Sequence, residues 1–135
     1  MIQLTQFGKD HWSLLAYIQT LCVDSQSGIG RINSNRMRTN KHKRPHIGNS
    51  CMIAWNEAWG TRLQGYFECD KVTQPTFQLK DHDDWDCLND LVENKLVDII
   101  SDVNHFITLT DSGKSLSLQL TQHKLNGGQF ATFKV

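Results

Sequence analysis

Along "DHWSLLAYIQTLC", residues 10–22, Trp12, Leu15, Ile18, Leu21 and Cys22 fall near helical spacing, and Asp10 stands where an N-cap or first-turn acid belongs. The spacing predicts a helix. Residues 23–50, "VDSQSGIGRINSNRMRTNKHKRPHIGNS", have no period and are rich in Gly, Ser and Asn, so an irregular arm is expected there. Over 51–80, two Trp close together and alternating bulky and polar residues, broken by Gly60, Gly65 and Pro75, predict short strands or a hairpin. One helical turn at "AWNEAW" is the alternative.

The last third has a clearer pattern. Trp85, Leu88, Leu91 and Val92 share one side of a helix, and Leu96 continues that surface as the chain turns. "LVDIIS" and "HFITLT" predict two short strands joined at a tight turn, "DVN". Thr110 is placed to cap a further helix, in which Leu116 and Leu120 lie four apart on one face, and "NGG" at 126–128 ends it. "QFATFKV", 129–135, alternates enough to predict an edge strand. The expected fold is therefore α+β, a single small domain over 1–135: helix 10–22, basic arm 23–50, short strands 51–80, a helix, two-strand hairpin and helix over 83–125, and a tail. Trp12, Trp55, Trp59 and Trp85 are read as core anchors, with Phe130 and Phe133 fastening the C-terminus. His11 and His123 are read as surface or helix-end residues.

At 135 residues, 39% of them apolar, the chain can bury roughly two thirds of its unfolded surface in one core. No apolar run approaches the ~18 residues of a bilayer span, and "MIQLTQFGKDHW" lacks the basic-then-apolar order of a secretion signal, so a cytoplasmic protein is expected. Cys22, Cys51, Cys69 and Cys87 contain no C-x-x-C pair and are read as free thiols.

Charge changes the picture more. The formal net charge is zero, yet Arg31, Arg36, Arg38, Lys41, Lys43 and Arg44 fall within fourteen residues. Asp81, Asp83, Asp84, Asp86, Asp90, Glu93, Asp98 and Asp102, eight of the fourteen acids, lie between 81 and 102. The molecule is expected to be dipolar rather than neutral.

"CLNDLVENKLVDIISDVNHFITLTDSGKSLSLQL" resembles the latter half of bacterial winged-helix regulators of the MarR and PadR type. The shared run is Leu-x-x-Leu, a turn into an apolar strand, a wing, then Leu-Thr-x-x-Gly opening a helix, matched by Leu88, Leu91, Leu109, Thr110 and Gly113. The resemblance implies a winged-helix-like C-terminal half. Lys95 stands where those families commonly have the Gly that ends the helix, and acids replace the basic or hydroxyl residues of a DNA-reading helix. A helix in the major groove lies between two rows of phosphates, so carboxylates there oppose the term that dominates affinity. The whole chain also looks like a family of small uncharacterised bacterial and mobile-element proteins through "GKDHW", "GTRLQG", "HDDWDCLNDL" and "HKLNGGQFATF".

Four kinds of chemistry are then open. The arm cations Arg31, Arg36, Arg38, Lys41, Lys43 and Arg44 can follow a phosphate backbone, with Asn33, Asn35 and Asn40 as further donors; the alternative is a solvated loop, or a partner for the acids of the same chain. Asp83, Asp84, Asp86, Asp90 and Glu93 suit docking to a basic protein surface or imitation of a phosphate row, although Asp83 and Asp84 also complement a helix dipole. Zinc has candidate ligands in His42, His46, Cys51 and Cys69, or in His82, Cys87 and Cys22, but Pro45 within "HKRPH" works against a helical pair of rings. His82 and Asp83, with His46, His105 and Asp102, superficially resemble a metal-dependent phosphohydrolase set. Cys22 is a poor nucleophile candidate, since it ends an apolar helix where no lowered thiol pKa is expected. No phosphate loop and no nucleophile elbow is present.

The expected function is a non-catalytic binding module, its arm on nucleic acid or a nucleoprotein and its acidic helix on a protein, with no cofactor and no membrane. One alternative is a phage or mobile-element inhibitor or adaptor that acts through protein contacts alone, for example an anti-defence protein imitating the charge of DNA. The other is a zinc-stabilised domain or metal-dependent enzyme.

Overall fold

The computed structural model describes residues 2–23, 25–34, 37 and 83–135. The expected strands over 51–80, the arm cations Arg36, Arg38, Lys41, Lys43 and Arg44, and His42, His46, Cys51, Cys69 and His82 lie outside the described residues. Those described form an α+β arrangement: helix α1 (Lys9–Val23), strand β1 (Ile29–Arg31), helix α2 (Asp84–Glu93), strands β2 (Val97–Ser101) and β3 (Phe106–Leu109), and helix α3 (Asp111–Leu125). Single 3-10 turns at Leu4–Gln6 and Phe130–Thr132 flank them.

The sheet is antiparallel throughout, in the order β1-β3-β2. Ile29, Gly30 and Arg31 pair with Thr108, Ile107 and Phe106, while Val97, Asp98 and Ile99 pair with Leu109, Thr108 and Ile107. A register shift between Ile99 and Ser101 bends the hairpin. The expected hairpin is present, its turn running through 102–105. The arm, by contrast, is not wholly irregular. β1 lies within it, because Gly30 lets the strand close on α1: a Cβ at that position would come within 2.7 Å of Leu21 Cβ.

α1 is the helix expected over residues 10–22. Lys9 through Thr20 are all buried, so α1 is the axis of the core rather than a lid on it. Its polar side chains find partners: the Ser13 hydroxyl donates to the Asp10 carbonyl, Gln19 Oε1 accepts from Thr121, and the Tyr17 hydroxyl accepts from the Asn33 N–H. Trp12 is packed between Phe7, with centroids 5.2 Å apart, and Phe133, 4.8 Å away and edge-on. Phe130 and Phe133 are both buried, as expected of a staple, but through a 3-10 turn and not an edge strand. The expected strand fails because its two large apolar residues are three apart, the spacing that a 3-10 turn brings to one side.

Both α2 and α3 end in the same hydrogen-bond pattern. At α3 the N–H of Gly127 donates to Lys124 O and that of Gly128 to His123 O, with Gly127 at φ 88°. At α2 the N–H of Lys95 donates to Val92 O and that of Leu96 to Leu91 O, with Lys95 at φ 60°. This is the left-handed cap that glycine fits best, carried here by a lysine. Lys95→Gly is therefore expected to raise stability by about 0.5–1 kcal/mol, relief of strain being partly offset by the freer unfolded chain. Chemical denaturation checks this, and a lower midpoint for the glycine variant would contradict it.

Candidate functional site

The five acids around α2 divide into three jobs. Asp83 is the N-cap: its Oδ1 accepts from the Asp86 N–H at 3.1 Å, and Asp86 Oδ2 accepts from the Asp83 N–H at 3.1 Å. Two carboxylates thus complete a reciprocal capping box at the positive end of the helix dipole. Asp84 and Asp90 are buried, and neither faces outward. The carboxylates at the surface of α2 are Asp83, Asp86 and Glu93, with Asn89 donating to Glu93 Oε1 at 3.1 Å. The acidic face is thus narrower than the sequence suggests, since helical rotation buries position 84 and turns position 90 toward α1.

Asp90 turns toward His11. Its Oδ2 lies 2.8 Å from His11 Nε2, and both side chains are buried. The Gly8 N–H donates to His11 Nδ1 at 3.1 Å, so Nδ1 carries no proton and Nε2–H is the donor to the carboxylate. A flat stack on Phe7, 4.3 Å between centroids and 8° between planes, holds the ring. Both ring nitrogens are engaged, which suits a fixed buried link between α1 and α2 rather than a general base. Sequence reasoning missed this residue by placing His11 at the surface. The signal was its position beside Trp12 in a helix whose apolar run, "LLAYI", leaves no wet face. Lys9 and Asp10 join the same buried layer, Lys9 Nζ lying 3.4 Å from Asp10 Oδ1. His123 lies in the last turn of α3, as expected, with Nε2 2.8 Å from Gln129 O.

Cys22 and Cys87 are both buried and form no disulfide with each other. Burial pushes the Cys22 thiol up from its ordinary value, against smaller opposing effects of backbone hydrogen bonds at Gly30 and Leu109 and the charge of Lys114. The thiol therefore stays protonated at neutral pH, which removes it as a nucleophile. The sign for stability follows: only the unfolded thiol ionises first as pH rises, so this group costs nothing below the unfolded thiol pKa and destabilises the fold above it.

The remaining candidate site lies on the sheet. Arg31 ends β1 on the face opposite Ile107, exposed, with its guanidinium carbon 5.8 Å from the centroid of Phe106. Arg31, Ile32, Asn33, Ser34 and His105 line a hollow of about 360 Å³. His105, at φ 58°, closes the hairpin turn; its carbonyl accepts the Ile32 N–H at 3.0 Å, and its ring lies against Trp85 at 5.0 Å. Asp102 is exposed in the same turn.

Among the described residues, no group of three or more His, Cys, Asp or Glu is arranged to hold a metal ion, and no helix is long and apolar enough to cross a membrane. In comparisons with known proteins, no protein-family model matches the chain, and no curated protein and no solved structure matches it.

Proposed function

We propose that the chain is a non-catalytic binding module on a winged-helix-like frame, its basic arm contacting nucleic acid or a nucleoprotein and the exposed acids of α2 docking a protein. One observation carries the reading: Arg31, the cation of the basic block that lies among the described residues, pairs with none of the acids of α2 there. Arg31 forms no ion pair among the described residues, and neither do Asp83, Asp86 and Glu93; the two pairs found there are Lys9–Asp10 and His11–Asp90. Open charge of both signs on one small surface favours two partners of opposite character. The frame is supported by the order of elements and by the sheet order β1-β3-β2, with α2 leading directly into the β2–β3 hairpin.

Fluorescence anisotropy with labelled single- and double-stranded DNA and RNA tests the reading, at low and moderate salt. Affinity should fall steeply with salt, and the variant carrying Glu at 36, 38, 41, 43 and 44 should lose roughly tenfold or more of it, because each phosphate-bound cation contributes to counterion release. Asp86→Asn should leave nucleic-acid affinity unchanged or slightly raised. Binding that survives the arm reversal undiminished, or no binding at low salt, would overturn the nucleic-acid half.

The protein-only adaptor or inhibitor is the second reading. Its support is the surface acids Asp83, Asp86 and Glu93 at α2, together with the exposed apolar Ile100 and Val103 of the hairpin. Absence of any nucleic-acid binding, together with a protein partner whose co-purification is lost in an Asp83→Asn, Asp86→Asn, Glu93→Gln variant, would favour it.

A further inference from the structure

The hollow beside Arg31 is built like a receptor for an oxyanion. Arg31 and Phe106 are directly opposed in the β1/β3 register, so the ring flanks the guanidinium and narrows its range of positions. Ile32 is buried beneath the hollow, its N–H tied to the His105 carbonyl, and the Asn33 N–H is tied to the Tyr17 hydroxyl at 3.2 Å. The Trp85 ring packs against the His105 ring, 5.0 Å between centroids. The Ile32 and Asn33 backbone and the His105 ring are thus placed by contacts with α1, α2 and the hairpin, which lowers the cost of binding.

We propose that this hollow is a phosphate seat, with the Arg31 guanidinium as a two-pronged donor and the Ser34 hydroxyl and His105 imidazole as further donors. Phosphate fits better than a carboxylate because three donor-bearing residues on two segments, Arg31, Ser34 and His105, line the hollow, and a tetrahedral oxyanion offers acceptors in that many directions. A space of about 360 Å³ also exceeds what a bare carboxylate fills and lies within the range of small-ligand clefts. Asp98, the acid on the same sheet, lies on β2 opposite Thr108 of β3, so β3 stands between it and β1. The ligand is then a phosphomonoester or the phosphodiester of a nucleic acid; the second identification rests on the function proposed above, and the seat itself does not.

Amide chemical-shift titration of the isotopically labelled full chain tests it, with inorganic phosphate in one arm and a twelve-nucleotide single-stranded or duplex DNA in the other. The wild type, Arg31→Gln, Arg31→Lys and the arm-reversal variant that keeps Arg31 are compared. Phosphate should move the amides of residues 30–34 and 105, and Arg31→Gln should weaken that response roughly tenfold, with Arg31→Lys in between. DNA should move the same amides and lose that effect in Arg31→Gln. A phosphate response elsewhere, or one unchanged in a folded Arg31→Gln, overturns the seat. DNA that binds through the arm while neither DNA nor phosphate moves residues 30–34 and 105 overturns the seat and leaves the proposed function standing. Arg31-dependent phosphate binding with no DNA binding upholds the seat and overturns the nucleic-acid reading.

Discussion

Gly113→Ala is expected to destabilise the protein by at least about 3 kcal/mol and lower its melting temperature by roughly 10 °C. A Cβ at position 113 would overlap the carbonyl oxygen of Leu96 and lie 2.9 Å from its carbon and 3.2 Å from Leu109 Cδ2. The obstacle is backbone, so no rotamer change removes it. Nor is that carbonyl free to swing: it accepts the Thr110 N–H at 3.1 Å, and the Thr110 hydroxyl bonds both Lys95 O and the Gly113 N–H. Relieving the clash means parting the first turn of α3 from the α2–β2 corner and losing the cap. Gly127→Ala separates this close approach from backbone strain, since Gly127 has φ 88° and nothing within 4 Å of its Cβ position. It should cost only about 1 kcal/mol. Urea denaturation of both variants decides the matter, and a Gly113→Ala protein as stable as Gly127→Ala would refute the packing argument.

That glycine also shows what could be read before the fold was known. Thr110 and Gly113 sit in a short run of local rules, a cap three residues before a tight packing point, and such rules act over one helical turn. The hairpin, the start of α3 and its glycine end were legible for the same reason. β1 was not: it has three residues, one of them Gly30, and its strand character comes from pairing with β3 nearly eighty residues later. The left-handed lysine at 95 was visible only as a departure from a resembling pattern. Its backbone angle follows from the α2–β2 corner, which needs that geometry whatever residue supplies it.

The acids divide along the same line. Asp83 and Asp86, three apart at the head of an apolar run, are a capping-box spacing with carboxylates in both places, so their mutual bonds are local and readable. Asp84 and Asp90 look identical to them in a string of letters. What separates them is rotation about α2: Asp84, Cys87, Leu88 and Leu91 form the buried stripe, and Asp90 falls on its border facing α1. A count of charges therefore overstated the outward acidic surface. Of the residues lining the hollow beside Arg31, Ser34 follows closely in sequence, whereas His105 reaches it only through the pairing of β1 with β3.

Breaking the link between His11 and Asp90 should have the second large effect. His11→Phe keeps the flat stack on Phe7 but removes the Nε2–H that donates to a buried carboxylate, and the expected loss is about 3 kcal/mol. Asp90→Leu leaves the Nε2–H buried without that acceptor, at roughly 1–3 kcal/mol. The double variant should cost clearly less than the two losses together, by at least about 1 kcal/mol, since two apolar side chains facing each other leave neither of these groups stranded. Asp90→Asn should be milder than Asp90→Leu, because an amide oxygen still accepts from Nε2. The cycle measures the link directly by denaturation at one pH. Losses additive to within about 0.5 kcal/mol would mean that the 2.8 Å contact contributes nothing specific to the joining of α1 and α2. A strong coupling would make this pair the fastener that fixes the rotation of α2, and hence which of its acids reach the surface where a partner could meet them.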